Sequence, residues 1–122
     1  MPTNNSDFYL GNPNLKRVGT DINFTQEQIQ EYLKCKEDPV YFAMNYIKII
    51  SLDEGIVPFK MWDFQQELIE SFHENRFNIA KLPRQTGKST TCVSYLLHYV
   101  LFNDNVNVGI LANKLSTARD LL

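Results

Sequence analysis

The sequence is poor in the residues that hold small secreted domains or metal centres together. Its two cysteines, Cys35 and Cys92, lie far apart within helical patterns. They form no metal-type pair and read as buried free thiols in a reducing compartment. No apolar run approaches the ~20 residues that span a bilayer; the longest, Val93 to Phe102, is interrupted by His98. The first residues are polar and lack the apolar core of a secretory leader, so a cytosolic compartment and no membrane partner are expected. Positive charge is not in excess. The formal net charge of −2 gives no global electrostatic case for nucleic acid or anionic lipid, so any DNA contact must be local. There is no internal repeat and no low-complexity tract. Apolar residues make up 43% of 122, enough for one packed core, which bounds the chain to one domain or a piece of one.

Residues 1–24 are rich in Asn, Pro, Gly and Thr, with a turn signal at Asn12-Pro13-Asn14, and read as an extended arm. Thr25 and Gln28 have the form of a capping box, so a helix is expected from there to about Lys36, with Ile29, Tyr32 and Leu33 on one face. Asp38-Pro39 restarts it as N-cap and first helical residue, to about Ile49. Asp53-Glu54-Gly55 is a turn between two short apolar arms, a possible hairpin whose second arm Pro58 would keep at an edge. A further helix is expected over Asp63–His73. Phe77–Leu82 and Val106–Ala112 read as buried strands. Between them a helix carries Cys92, Val93, Leu96, Leu97, Val100 and Leu101 as its expected buried set. His98 has no Asp, Glu or Cys at ligand spacing and reads as a packed or exposed histidine. A last helix begins near Ser116.

The stretch that organises the chain is Leu82-Pro83-Arg84-Gln85-Thr86-Gly87-Lys88-Ser89. Gly-Lys-Ser sits at the mouth of a helix that follows an apolar run, the context a P-loop requires. Backbone N–H groups of such a turn converge on one spot, where the helix dipole also favours an anion. Lys88 can reach outer phosphates, and the Ser89 hydroxyl can occupy one place in the shell of Mg²⁺. Arg84, with no core to enter, can face the same anion. The opening glycine of the usual pattern is replaced by Leu82. Strand, helix and strand around such a loop form a right-handed parallel βαβ unit. Its ligand edge would carry Asn113, Lys114 and Ser116. Gln65 has two readings from its residue type: a solvated glutamine on an amphipathic helix, or a carboxamide that meets the polar edge of adenine, with Trp62 or Phe64 stacked beside it.

Several stretches resemble the ATPase domain of phage large terminase subunits, the motors that package DNA into capsids, most closely those of tailed myophages of the T-even type. They are Gly11-Asn12-Pro13-Asn14-Leu15-Lys16-Arg17, Asp38-Pro39-Val40-Tyr41-Phe42-Ala43, Asp63-Phe64-Gln65, Leu82 to Thr90, and Val108-Gly109-Ile110-Leu111-Ala112-Asn113-Lys114. In that family the loop is a deviant Walker A containing Arg-Gln-x-Gly-Lys. The resemblance implies an α/β fold: N-terminal helices followed by a P-loop NTPase βαβ unit with a partial, truncated parallel sheet over 25–122. It implies ATP and Mg²⁺ as ligands, held by Gln65, Arg84, Gln85, Thr86, Gly87, Lys88, Ser89 and Thr90. Lys88 would be the phosphate lysine, Ser89 the magnesium hydroxyl, Arg84 the residue facing the γ-phosphate and Gln65 the adenine-recognising glutamine. Asn113-Lys114 would lie in a motif near DNA. It further implies viral double-stranded DNA, a small terminase subunit and a portal as partners, a ring assembly, and the cytoplasm of an infected bacterium.

The family continues with a Walker B strand ending in Asp-Glu, a coupling motif and a nuclease domain, and this sequence contains none of them. Asp53-Glu54 precedes the loop, and Asp104 falls at the wrong strand end. The chain is therefore expected to be a fragment that binds ATP and does not hydrolyse it alone. Two other readings stand beside this one: a piece of a helicase-like P-loop ATPase, and a non-catalytic module that binds nucleotide or a partner.

Overall fold

The computed structural model of the protein describes residues 7–122, so the first six residues of the expected arm lie outside it. Within the described part of the arm, Tyr9–Gly11 forms one turn of 3₁₀ helix, and Phe8 bridges to Lys16. Tyr9 N–H donates to the Leu15 carbonyl at 2.8 Å. This stretch thus folds back on itself where an extended course was expected.

Helix α1 runs Gln26–Glu37. The expected capping box is formed: Gln28 N–H donates to Thr25 Oγ1 at 3.2 Å, and Thr25 N–H donates to Gln28 Oε1 at 3.0 Å. Two of the helix's otherwise orphaned donors are met in this way. Its expected apolar face stays half exposed, and Cys35 is the residue it buries. Asp38 ends α1 and caps α2, Pro39–Tyr46, with Oδ1 accepting from Val40 and Tyr41 N–H at 3.0 Å each. The second helix stops three residues short of the expected Ile49. Ile47 turns extended, and β1, Lys48–Ser51, pairs antiparallel with β2, Gly55–Pro58. β-Branched Ile47, Ile49 and Ile50 fit a pleated strand better than a helix end.

Helix α3 spans Asp63–Glu74, α4 Lys88–Phe102 and α5 Leu115–Asp120. Helices α2, α3 and α4 pack on one another, α1 lies against α2, and β2 touches α2. Ala43, Phe59, Met61 and Ile69 form the core, flanked by Val40, Ile47, Ile49 and Tyr95. Ile69 is fully buried, and complete burial of such a side chain contributes about 1.5–3 kcal/mol. A second cluster joins Phe42, His98 and Phe102 ring to ring.

The fold is a small mixed α/β arrangement of several helices and one two-stranded antiparallel sheet. The parallel pair expected around the loop is not formed: 77–82 and 106–112 carry no strand among the described residues. None of their main-chain groups enters a backbone–backbone hydrogen bond with a described residue. A strand exists only as part of a ladder, and neither segment completes one with a described residue. Phe77, Ile79 and Leu111 are exposed accordingly.

The inward face of α4 also differs from expectation. Thr91, Ser94 and His98 are buried, whereas Leu97, Val100 and Leu101 are exposed. The helix is apolar on more than one side, so neighbours decide which side goes in. Helices α2 and α3 meet the Thr91–His98 side, where each polar group has a partner. Thr91 Oγ1 donates to the Gly87 carbonyl, Ser94 Oγ to the Thr91 carbonyl, and His98 Nε2 lies 2.8 Å from the Cys35 carbonyl. The opposite side of α4 faces Ala80, Leu82 and 109–111 across a cavity of about 400 Å³.

Candidate functional site

Loop 82–87 enters α4 through two left-handed residues, Gln85 at φ 61° and Gly87 at φ 72°. Gly87 is the N-cap of α4 and brings no side chain over the helix end. A β-carbon at Gly87 would stand 2.7 Å from Gln65 Nε2. Thr91 closes the first turn, its N–H and Oγ1 both donating to the Gly87 carbonyl at 2.9 Å. The N–H groups of Lys88, Ser89 and Thr90 have no acceptor among the described residues. Free amides at the positive end of a helix of 15 residues attract an anion.

Two cations, Arg84 and Lys88, flank those amides in sequence. Lys88 Nζ donates to the Leu82 carbonyl at 3.3 Å, reaching back across the loop from the first residue of α4. Thr86 Oγ1 donates to the Pro83 carbonyl at 3.0 Å and tightens the same turn. Arg84 is exposed, with no bond or ion pair among the described residues. Ser89 is exposed as well. Burial pushes the Cys92 thiol up, against a smaller opposing effect of Lys88, so the thiol beside the loop stays protonated and inert.

Next to the loop lies a cleft of about 450 Å³. Gln85, Thr86, Gly87 and Thr90 of the loop and helix start line it, and Ile49, Phe59, Trp62 and Phe64 contribute apolar surface. Lys60 is the charged residue among those that line it, and no carboxylate among the described residues does. The hairpin positions Ile49, and the link from β2 to α3 delivers Phe59 through Trp62.

Gln65 sits between the cleft and the loop, with only 4% of its surface exposed. The solvated reading of this residue is therefore set aside. Its Oε1 accepts from Trp62 N–H at 2.9 Å, reaching back to the N-cap of α3. Its Nε2 donates to the Thr86 carbonyl at 3.2 Å. One lone pair and one N–H of the carboxamide remain for a further partner.

Of the residues singled out in the sequence, Trp62, Phe64, Gln65, Gln85, Thr86, Gly87 and Thr90 share the cleft. Lys88 and Ser89 line the neighbouring cavity toward Gly109, Ile110 and Leu111. Asn113, Lys114 and Ser116 are exposed, and it is 109–111 with Leu121 that approach the loop instead. Sequence reasoning missed Ile49, Phe59 and Lys60, which only the hairpin brings to the loop. It also missed Asp120, which shares a cavity with Ser89 and Thr90. Among the described residues no group of three or more His, Cys, Asp or Glu could hold a metal ion by itself, and no helix is long and apolar enough to cross a membrane. No protein-family model matches this chain.

Proposed function

We propose that the chain binds the phosphates of ATP at loop 82–89 and the base in the adjoining cleft, as part of a P-loop motor ATPase of the large-terminase type. The observation that carries this reading is the start of α4. A left-handed glycine opens the helix onto amides without an acceptor among the described residues, with Lys88 at the first helical position and an exposed Arg84 three residues before Gly87. Adenine would lie against Trp62 and Phe59, and the remaining lone pair and N–H of Gln65 match a ring edge that both donates and accepts. Mg²⁺, when bound with the nucleotide, supplies charge compensation at the phosphate oxygens, and the Ser89 hydroxyl is the protein group suited to hold it. In this reading 77–82 and 106–112 are the segments that would pair as strands in a complete parallel βαβ unit. Viral DNA, a small subunit, a portal, ring assembly and a site of action in the host cytoplasm belong to the same proposal and rest on the resemblance.

No hydrolytic step is assigned to the chain: no carboxylate among the described residues lines the cleft. That observation favours a second reading, a nucleotide-binding module without turnover. Both are tested by ATP binding and hydrolysis on the full chain with Mg²⁺ present and Lys88→Ala as control. Binding that the substitution abolishes supports the phosphate cradle. Turnover separates the two readings, and its loss on Asp120→Asn would identify the carboxylate that shares a cavity with Ser89 as part of the machinery.

A further inference from the structure

Gln65 is usually weighed as a reader of the base. Its hydrogen bonds give it a different task. The Nε2 donor is committed to the Thr86 carbonyl, the peptide immediately before the left-handed Gly87. The Oε1 acceptor is committed to Trp62 N–H at the head of α3. The carboxamide therefore ties the start of α3 to the last turn of the loop, and it packs so closely against Gly87 that a methyl group there would collide with it. The bond to Thr86 fixes the orientation of the peptide plane between Thr86 and Gly87, because its carbonyl must face Gln65. With that carbonyl held toward α3, the N–H on the opposite side of the same plane is turned away from α3. The amides that follow at Lys88, Ser89 and Thr90 then continue from a fixed starting point.

We infer that Gln65 is a positioning residue for the phosphate loop, holding it in its anion-binding shape whether or not a base occupies the cleft. This rests on the nucleotide-binding reading of the loop and deepens it. A group that only reads adenine leaves the binding of a ligand without a base unchanged. A latch on the loop does not.

The test is calorimetric titration of the full chain with inorganic tripolyphosphate and, separately, with ATP, both with Mg²⁺. Gln65→Met keeps the length of the side chain and removes the Thr86 donor without adding charge. The expected result is tripolyphosphate binding at least tenfold weaker than wild type, with a comparable or larger loss for ATP. Gln65→Glu retains an oxygen for Trp62 N–H and serves if the methionine variant does not fold. Its loss of tripolyphosphate binding should persist at high salt, where long-range repulsion by the new carboxylate is screened. Unchanged tripolyphosphate affinity with weakened ATP binding overturns the inference and leaves Gln65 as a base reader. A lowered melting temperature with unchanged tripolyphosphate affinity, measured well below melting, overturns it in favour of a structural role. Wild-type chain that binds neither ligand overturns both the inference and the nucleotide reading, whereas binding that is lost in Lys88→Ala and kept in Gln65→Met overturns the inference alone.

Discussion

His98 and Cys35 lock two helices together through one hydrogen bond, His98 Nε2 lying 2.8 Å from the Cys35 carbonyl. A ring nitrogen that faces a carbonyl must carry the hydrogen, so Nε2–H donates and the bond fixes the tautomer of a neutral ring. Phe42, Tyr95 and Phe102 surround the ring, with His73 at 6.3 Å. Burial pulls its pKa below the ordinary 6.5, outweighing the bond to Cys35, which acts the other way, and His73 pulls it down further. The unfolded chain therefore takes up the proton first as pH falls. Stability contributed by the neutral ring is complete above about pH 6.5 and declines below it toward the lowered value. The urea midpoint should fall between pH 7 and pH 5. In His98→Phe that fall should flatten, while at pH 7 the unpaired Cys35 carbonyl costs about 1–3 kcal/mol. A wild-type midpoint that is flat across this range would contradict the assignment.

Glu31 clasps α2 from α1. Its Oε1 accepts from Tyr41 Oη at 2.7 Å and from Tyr46 Oη at 2.8 Å. Donation by Tyr41, then by Tyr46, holds the carboxyl below its usual value of 4.5. Donation to Glu31, aided by desolvation, pushes the Tyr46 phenol up to about 12 from 10. The two ends of the clasp fail in opposite directions. The Glu31 contribution is present above pH 4.5 and is lost as pH falls through the lowered value; the Tyr46 contribution is present below pH 10 and is lost as pH rises toward 12. Phenolate absorbance measured against pH should show late-titrating tyrosine, and Glu31→Gln should return Tyr46 toward 10. An unchanged titration curve in that variant would show that the clasp is not formed in solution.

Gly87 and Gly109 make a matched pair for testing the loop. Gly87→Ala forces a side chain into left-handed backbone at a cost of about 1–2 kcal/mol and places it 2.7 Å from Gln65 Nε2. Gly109 has no unusual φ and no atom within 4 Å of an added β-carbon. Thermal melting should drop by several degrees in Gly87→Ala and stay within about a degree of wild type in Gly109→Ala. Equal melting temperatures would mean that the loop does not hold this shape.

The local chemistry of the helix starts was legible in the sequence. Thr25 with Gln28, Asp38 with Pro39, and Gly87 before Lys88 each name a cap whose bonds depend on residues within a few positions. The turn at Asp53–Gly55 was legible for the same reason. What could not be read were choices made by distant partners. Thr91, Ser94 and His98 go inward because α2 and α3 meet that side of α4, and nothing in the helix's own pattern marks it over Leu96 and Leu97. The segments 77–82 and 106–112 are apolar runs of strand length, yet a ladder needs a second backbone, which such a run does not reveal. Gln65 was legible as a candidate for the base but not as a partner of Thr86, since that bond spans 21 residues.

The most direct measurement of the central claim is ATP binding by the full chain with Mg²⁺, compared between wild type and Lys88→Ala. Removing the ammonium takes away the one side chain that spans the loop from α4 to Leu82, and a lost charge-assisted contact to phosphate costs about 1.5–3 kcal/mol. That corresponds to roughly ten- to more than a hundredfold weaker binding at ~1.4 kcal/mol per decade. The account predicts saturable binding by wild type and a loss of that size in Lys88→Ala. Equal binding by both, or none by either, would contradict it.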